Sequence, residues 1–314
     1  MGEFDLISTY FAPLASGFDG AAWLKDDAAV ISVPDGYELV VSSDTLNEDI
    51  HFFKNTSPDL IAQKALRSNI SDIIAKGAKP LVYQLNLSLP DYCDEVWVKA
   101  FASGLVMDQK AFDVCLSGGD TTRSKAHLSI SITVFGLVKK GTIKRRSGAQ
   151  VGDDIYLNGC IGDAFIGLSM LKGDIKHQDP YFIQKHHVPD IDLRNIDLVS
   201  NYAHAAMDVS DGLVADLEHL CKASKVGAKC NIRDIPLSEG AKALIKIEDV
   251  TLPQLITGGD DYCVLMTAST DLREEIEDKY KVHRIGSITE GNKVDFVNDN
   301  GEMLSFDQKG WQHL

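Results

Sequence analysis

The familiar devices of nucleotide chemistry are missing from this chain. No GxxxxGK[ST] occurs and no Gly is followed by Lys, which excludes a P-loop. No GxGxxG follows a strand-like run, and neither the protein-kinase signature set nor a GxSxG nucleophile elbow is present. Cysteine is sparse: Cys93, Cys115, Cys160, Cys221, Cys230 and Cys263 form no CxxC pair and have no His partner at metal-ligand spacing. They read as buried, reduced thiols rather than a disulfide framework or zinc site. No apolar run approaches about 18 residues. Met1-Gly2-Glu3-Phe4-Asp5 carries acid where a signal peptide needs base. The expectation is a soluble, cytoplasmic protein. Positive charge is also short: 31 Lys+Arg against 46 Asp+Glu leave a net charge of −15. The densest basic stretch, Lys139-Lys140 with Lys144-Arg145-Arg146, is brief. Neither nucleic acid nor an anionic membrane is an expected partner.

What remains is ordinary globular usage, 44% hydrophobic and 25% charged, which excludes wholesale disorder. At roughly 100–200 residues per domain, two domains are expected. The basic, turn-rich stretch after Gly141 places their boundary, giving domains 1–140 and 141–314. Strands are expected at Ala28–Val33 and Tyr37–Ser43 around Pro34-Asp35-Gly36. A helix suits Pro58–Lys76, stopped by Gly77 and Pro80. Strict alternation marks half-buried strands at Leu81–Leu89 and His127–Val138. Between them lie a helix over Asp94–Lys110 and a short strand, Asp113–Leu116, running into Gly118-Gly119-Asp120. The second half offers a strand at Asp154–Leu157, a helix over Asp163–Leu171, a long connector at Pro180–Arg194 and a helix from near Ser210. The fold class is α/β in two domains.

Aspartates recur where these elements end: Asp26-Asp27, Ser42-Ser43-Asp44, Asp72, Gly119-Asp120, Asp208 with Ser210-Asp211, and Asp260-Asp261. Any one alone is ordinary turn and cap chemistry. Six such places in a chain without other site chemistry suggest hard oxygen ligands for Mg²⁺. Several carboxylates converging on one cleft would repel a polyphosphate, so divalent cations must bridge them. Gly118 and Gly119 would let backbone N–H groups approach a phosphate, and a helix starting at Ser210-Asp211 would turn its N-terminus to the same anion. Arg146 is a candidate fixed cation. The class that follows is metal-dependent phosphoryl transfer.

Asp26-Asp27-Ala28-Ala29-Val30, Ser43-Asp44 with His51-Phe52, Asn69-Ile70-Ser71-Asp72 with Gly77-Ala78-Lys79-Pro80, and Gly118-Gly119-Asp120-Thr121-Thr122 stand in the order of one family. Arg146-Ser147-Gly148, Asp208-Val209-Ser210-Asp211-Gly212-Leu213 and Gly258-Gly259-Asp260-Asp261-Tyr262 continue it. The chain resembles the thiamine-monophosphate kinase family, within the superfamily of aminoimidazole ribonucleotide synthetase and selenophosphate synthetase. The likeness runs from about Phe4 to Trp311, and seven weak segments in order make it specific.

The resemblance implies an aminoimidazole ribonucleotide synthetase-like fold: an N-terminal mixed-sheet α/β domain that forms a homodimer, and a larger C-terminal α/β domain closing over the nucleotide. It implies ATP-dependent phosphorylation of thiamine monophosphate to thiamine diphosphate with several Mg²⁺ ions. Carried over by position, Asp27, Ser42, Ser43, Asp44, Asp72, Asp120, Asp208 and Asp211 would hold metal. Gly119, Asp120, Arg146 and Ser210 would contact ATP, and His51, Asp260 and Trp311 the thiamine phosphate. Read without the family, His51 is a packed or surface histidine, Trp311 a tail anchor and Arg146 a solvated charge. The chain departs from the family at Lys25, where glycine is usual, at Asn47-Glu48-Asp49-Ile50, which replaces a more apolar, glycine-containing run, and at Asp260, which replaces glutamate. Rival readings are another ATP-dependent enzyme of the superfamily and a non-catalytic nucleotide or metal sensor. No cysteine precedes Cys93, against a selenophosphate synthetase. All the carboxylates remain, against a sensor.

Overall fold

The computed structural model describes residues 3–306 and 308–311. The chain forms two compact units: residues up to Ile73 with Ala78–Gly141, and Ile74–Gly77 with everything from Thr142 onward.

In the first unit, α1 (Glu3–Leu6) and short helical turns to Leu24 precede β1 (Tyr37–Asn47), α2 (Pro58–Ile74), β2 (Lys79–Leu89), α3 (Glu95–Phe112), β3 (Cys115–Arg123) and β4 (Ser129–Lys139). The strands make one sheet in the order β1-β4-β2-β3. β4 is antiparallel to both neighbours, and β2 and β3 are parallel. α2 exists because its apolar residues recur at helical spacing: Ile61, Ala62, Ala65, Leu66, Ile70, Ile73 and Ile74 are all buried. At about 1.5–3 kcal/mol per buried large aliphatic side chain, that face outweighs local propensity. α3 begins where Asp94 accepts the Trp97 N–H (2.9 Å) and ends at Asp113, whose φ of +55° breaks the helix. Arg67 of α2 clamps the buried Asp108 of α3, donating through Nε (3.0 Å to Oδ2) and Nη2 (2.8 Å to Oδ1). Ile130, Ile132, Val134, Leu85 and Leu87 point to the helices. The opposite face carries hydroxyl pairs, Ser43 with Thr133 (2.8 Å) and Thr45 with Ser131 (2.7 Å).

The second unit holds β5 (Asp154–Leu157), α4 (Asp163–Lys172), α5 (Pro180–His187), α6 (Asn195–Tyr202), β6 (Ala205–Asp208), α7 (Leu213–Ser224) and β7 (Gly227–Asn231). α8 (Glu239–Lys246), α9 (Leu252–Thr257), β8 (Val264–Ala268), α10 (Arg273–Lys279), β9 (His283–Thr289) and β10 (Val294–Val297) follow. The six strands order as β10-β7-β9-β5-β8-β6, antiparallel except β10 with β7. β5, β6 and β8 are buried at every position, because cores lie on both sides of the sheet. Leu213, Leu217 and Leu220 of α7 belong to one, and Leu198, Val199 and Tyr202 of α6 to the other. Among the described residues no helix is long and apolar enough to cross a membrane.

Three expected elements differ. Ala28–Val33 pairs with no strand among the described residues, and Val30 is 69% exposed; an apolar run before a turn cannot make a strand without a ladder partner. β3 does not stop at Leu116 but carries Gly118-Gly119-Asp120 within it, paired along β2. The Pro180–Arg194 connector is instead largely α5, since Asp179 caps Tyr181 N–H (2.9 Å), Pro180 sits at the first helical position and Phe182 is buried.

Candidate active site

Alternation along β1 decides what its acidic segment can do. Ser42 and Asp44 share a face with buried Val40 and Leu46, toward α2, whereas Ser43 lies on the open face. Ser42 Oγ donates to Asp72 Oδ2 at 2.5 Å. Asp44 N–H donates to Asn69 Oδ1 at 3.0 Å, and the buried Asn69 amide is itself fixed by donating to Ala65 O (3.1 Å). Ser42, Asp44 and Asp72 therefore form one group, with Asn69 as a positioning residue that the sequence reading did not single out.

Asp27, Gly119 and Asp120 form another. With Asp26, Gln84, Asn86, Phe11, Leu24 and others they line a cavity of about 330 Å³. The close approach of β3 to β2 requires Gly119: its φ is +151°, and a Cβ there would lie 1.8 Å from Leu85 O. The two groups do not converge within one chain. The register puts Asp44, Ile132, Leu85 and Gly119 in one row, and Thr45, Ser131, Asn86 and Asp120 in the next. Asp120 is thus on the open face, Asp44 on the helix side, three strand spacings or about 14 Å apart. The expectation of a single carboxylate cleft fails for this unit taken alone. A different trio, Glu48, Asp49 and His127, offers ligand atoms within 4.8 Å of one another.

His51 accepts the Asn47 backbone N–H at Nδ1 (2.9 Å). In the neutral ring that bond places the proton on Nε2, so His51 presents a donor there rather than a base. Asp49 holds φ +64°, a left-handed conformation that Asp tolerates better than most residues.

In the second unit three segments meet. Asp260 N–H donates to Ser210 O (2.8 Å), Tyr262 N–H to Val209 O (2.8 Å) and Trp311 N–H to Asp211 O (2.9 Å). Asp208, Ser210, Asp211, Asp260 and Trp311 are thereby assembled around one loop. Gly259 permits this closeness: at φ +74° a Cβ would stand 2.5 Å from Ser210 O. Asp260 and Tyr262 also hold positive φ, +64° and +50°. Such strain persists only where surroundings impose it, and it concentrates at functional loops. Between them lies the half-buried Asp261, whose carboxylate accepts the Gly162 N–H (2.9 and 3.0 Å), capping α4 from a distance. Burial holds Asp261 well above the usual carboxylate range, with the Gly162 bond opposing. His186 Nδ1 lies 3.5 Å from Asp260 Oδ2.

The helix expected to start at Ser210 starts at Leu213. The N–H groups of Ser210, Asp211 and Gly212 converge on Asp216 Oδ2 at 3.0, 3.1 and 3.2 Å. They are already satisfied by a buried carboxylate, which corrects the expectation that this terminus meets a phosphate through its amides. Burial first and the nearby Asp211 charge second push Asp216 up to about 7, against the three N–H bonds. Arg146 stands apart from this loop. Its carbonyl accepts Ser224 Oγ (2.9 Å) at the far end of α7, its side chain is exposed, and α7 is 12 residues or about 18 Å long.

The chain matches the AIR synthase related protein N-terminal domain over residues 25–138 and the C-terminal domain of the same description over 150–298. It is 36% identical to the thiamine-monophosphate kinase of Haemophilus influenzae over 286 residues, 90% of this chain and 86% of that one. The crystal structure of thiamine-monophosphate kinase from Stenotrophomonas maltophilia is 35% identical, with a TM-score of 0.80 over 90% of this chain and 91% of that chain. The solved complex of AaThiL with AMPPCP and TMP is 30% identical, with a TM-score of 0.81 over 100% and 97%. The chain belongs to the AIR synthase related family and, within it, to the thiamine-monophosphate kinases.

Proposed function

We propose that this kinase transfers the γ-phosphoryl group of ATP directly to thiamine monophosphate, giving thiamine diphosphate. The observation that carries the reading is likeness over the full length to AaThiL, solved with AMPPCP and TMP. The acceptor is a phosphate monoester whose second pKa is about 6. It is already largely ionised at neutral pH and needs no general base, which agrees with an Nε2–H donor at His51. The reaction then depends on in-line placement and charge neutralisation rather than on a covalent enzyme intermediate.

The donor set fits Mg²⁺: Asp27, Ser42, Ser43, Asp44, Asp72, Asp120, Asp208 and Asp211 offer only hard oxygen, Ser43 through its carbonyl because its hydroxyl pairs with Thr133. Bound Mg²⁺ supplies charge neutralisation between these carboxylates and the phosphates. Gly119 and Asp120 are assigned to ATP in the first unit, Ser210 in the second, and Arg146 to a part of the nucleotide distant from Ser210. His51, Asp260 and Trp311 are assigned to thiamine monophosphate.

A homodimer reconciles the separation of Asp44 from Asp120. Carboxylates sharing an ion must lie within about 5 Å, given Mg–O distances near 2.1 Å, and the row geometry forbids that in one chain. A second copy that brings its Asp120 to the helix side of β1 would complete the set around Asp44. Incubation of purified protein with ATP, Mg²⁺ and thiamine monophosphate tests the reading. Formation of thiamine diphosphate, with none when Mg²⁺ is chelated, is expected; ATP consumption without that product would refute it.

A further inference from the structure

We propose that Asp216 is a positioning residue of this kinase: its carboxylate fixes the backbone of Ser210-Asp211-Gly212 so that Asp208, Ser210 and Asp211 meet the ligands as a preformed set. The inference rests on the phosphoryl-transfer reading above.

A single oxygen, Asp216 Oδ2, gathers three consecutive N–H groups. Three convergent amides are the arrangement by which a loop ordinarily binds an external anion. Here the anion is internal. The usual helix cap works the other way, with a side chain before the helix accepting from its first turn; Asp216 lies inside α7 and reaches back to the loop. It does so at a cost, since it is only 1% exposed and shares its helix face with Leu213, Leu217 and Leu220. Burying a carboxylate costs several kcal/mol unless its bonds are good. A leucine there would serve the core better, so helix packing alone gives no reason for an acid.

The loop it holds also supports the other segments. Ser210 O accepts Asp260 N–H and Asp211 O accepts Trp311 N–H. The amides fix the loop from below and the carbonyls anchor its neighbours. On that reading the Ser210 and Asp211 side chains, with Asp208 at the end of β6, are what the loop presents to metal and phosphate. Because all three bonds end on one oxygen, geometry rather than negative charge is what the loop needs. Asp216→Asn can keep an oxygen in that place; Asp216→Ala cannot.

Full-length wild type, D216N and D216A are compared in three ways: turnover, calorimetric titration with Mg²⁺ and AMPPCP, and hydrogen exchange of the amides at 210–212. D216A is expected to lose about 100-fold in kcat and about tenfold in analogue affinity. D216N should stay within about tenfold of wild type in kcat. The 210–212 amides should exchange slowly in wild type and D216N. Folded D216A with wild-type turnover would reduce Asp216 to a core residue. D216N as impaired as D216A would make charge the requirement. Rapid exchange at 210–212 in wild type would overturn the proposal even if D216A does not fold. If wild type binds the analogue and protects these amides but forms no thiamine diphosphate, the assigned reaction fails and the loop assignment stands.

Discussion

Replacing Gly119 by alanine should unravel the join between β2 and β3. Its Cβ would lie 1.8 Å from Leu85 O, 2.6 Å from Leu85 C and 2.9 Å from Leu85 N. All three are backbone atoms in the middle of a buried strand, so no side chain can swing aside. Ordinary contact begins at 3.4 Å, and β3 must retreat by roughly 1.5 Å, enough to break the neighbouring ladder bonds. Losing two or three such bonds at about 1 kcal/mol each, plus about 1–2 kcal/mol for alanine at positive φ, gives roughly 3–5 kcal/mol. For a unit of this size, 1 kcal/mol moves Tm by about 3–4 °C, so the first unit should melt about 10–20 °C lower. Gly118→Ala is the internal control: nothing lies within 4 Å of its Cβ, and its φ is not left-handed. Its melting should match wild type to within about 2 °C. Thermal unfolding followed by circular dichroism and calorimetry decides the matter. If the two variants melt together, the β2–β3 contact does not have the closeness described, and the placement of Asp120 on the open face loses its support.

Mixing Asp44→Asn with Asp120→Asn, each inactive alone, should restore activity if one copy completes the other's site; random exchange predicts recovery of up to about a quarter of wild-type turnover in the mixture, and no recovery would confine both residues to separate sites within one chain. Asp49→Gly should relieve a left-handed non-glycine residue at φ +64° and stabilise the first unit by about 1 kcal/mol, read as a Tm raised by a few degrees; a lower Tm would mean that the Asp49 side chain is held by its surroundings. In metal-free protein, Asp216 has a folded pKa of about 7 against an unfolded value of about 3.9. The folded state binds the extra proton between these values, so stability should fall as pH rises from 4 to 7 and be flat above. D216N should lose that slope, and an unchanged slope in D216N would assign it to another buried acid.

Fold class, element order and most strands were legible because alternation and helical periodicity are local. β4 shows it best, with Ile130, Ile132 and Val134 buried and Ser129, Ser131 and Thr133 on the other face. The misses are places where a partner decides. Ala28–Val33 is apolar and precedes a turn like a strand but lacks a neighbour among the described residues, and β3 continues past Leu116 only because β2 is beside it to pair with Gly118-Gly119-Asp120. The acidic turns were legible as a class of residue, but spacing along the chain could not reveal their faces. Counting by twos from Leu46 already sets Asp44 and Ser42 together and Ser43 opposite. Asp120, however, takes its side from register with Asn86, which no local pattern encodes. Asp216 did leave a signal: an acid three residues after Leu213 and four before Leu220, on the apolar stripe of α7. A charge on a buried face needs buried donors, and a helix start supplies backbone amides without helical partners close to it. Read that way, the stripe that identifies α7 as a core helix also points to the loop that the helix holds in place.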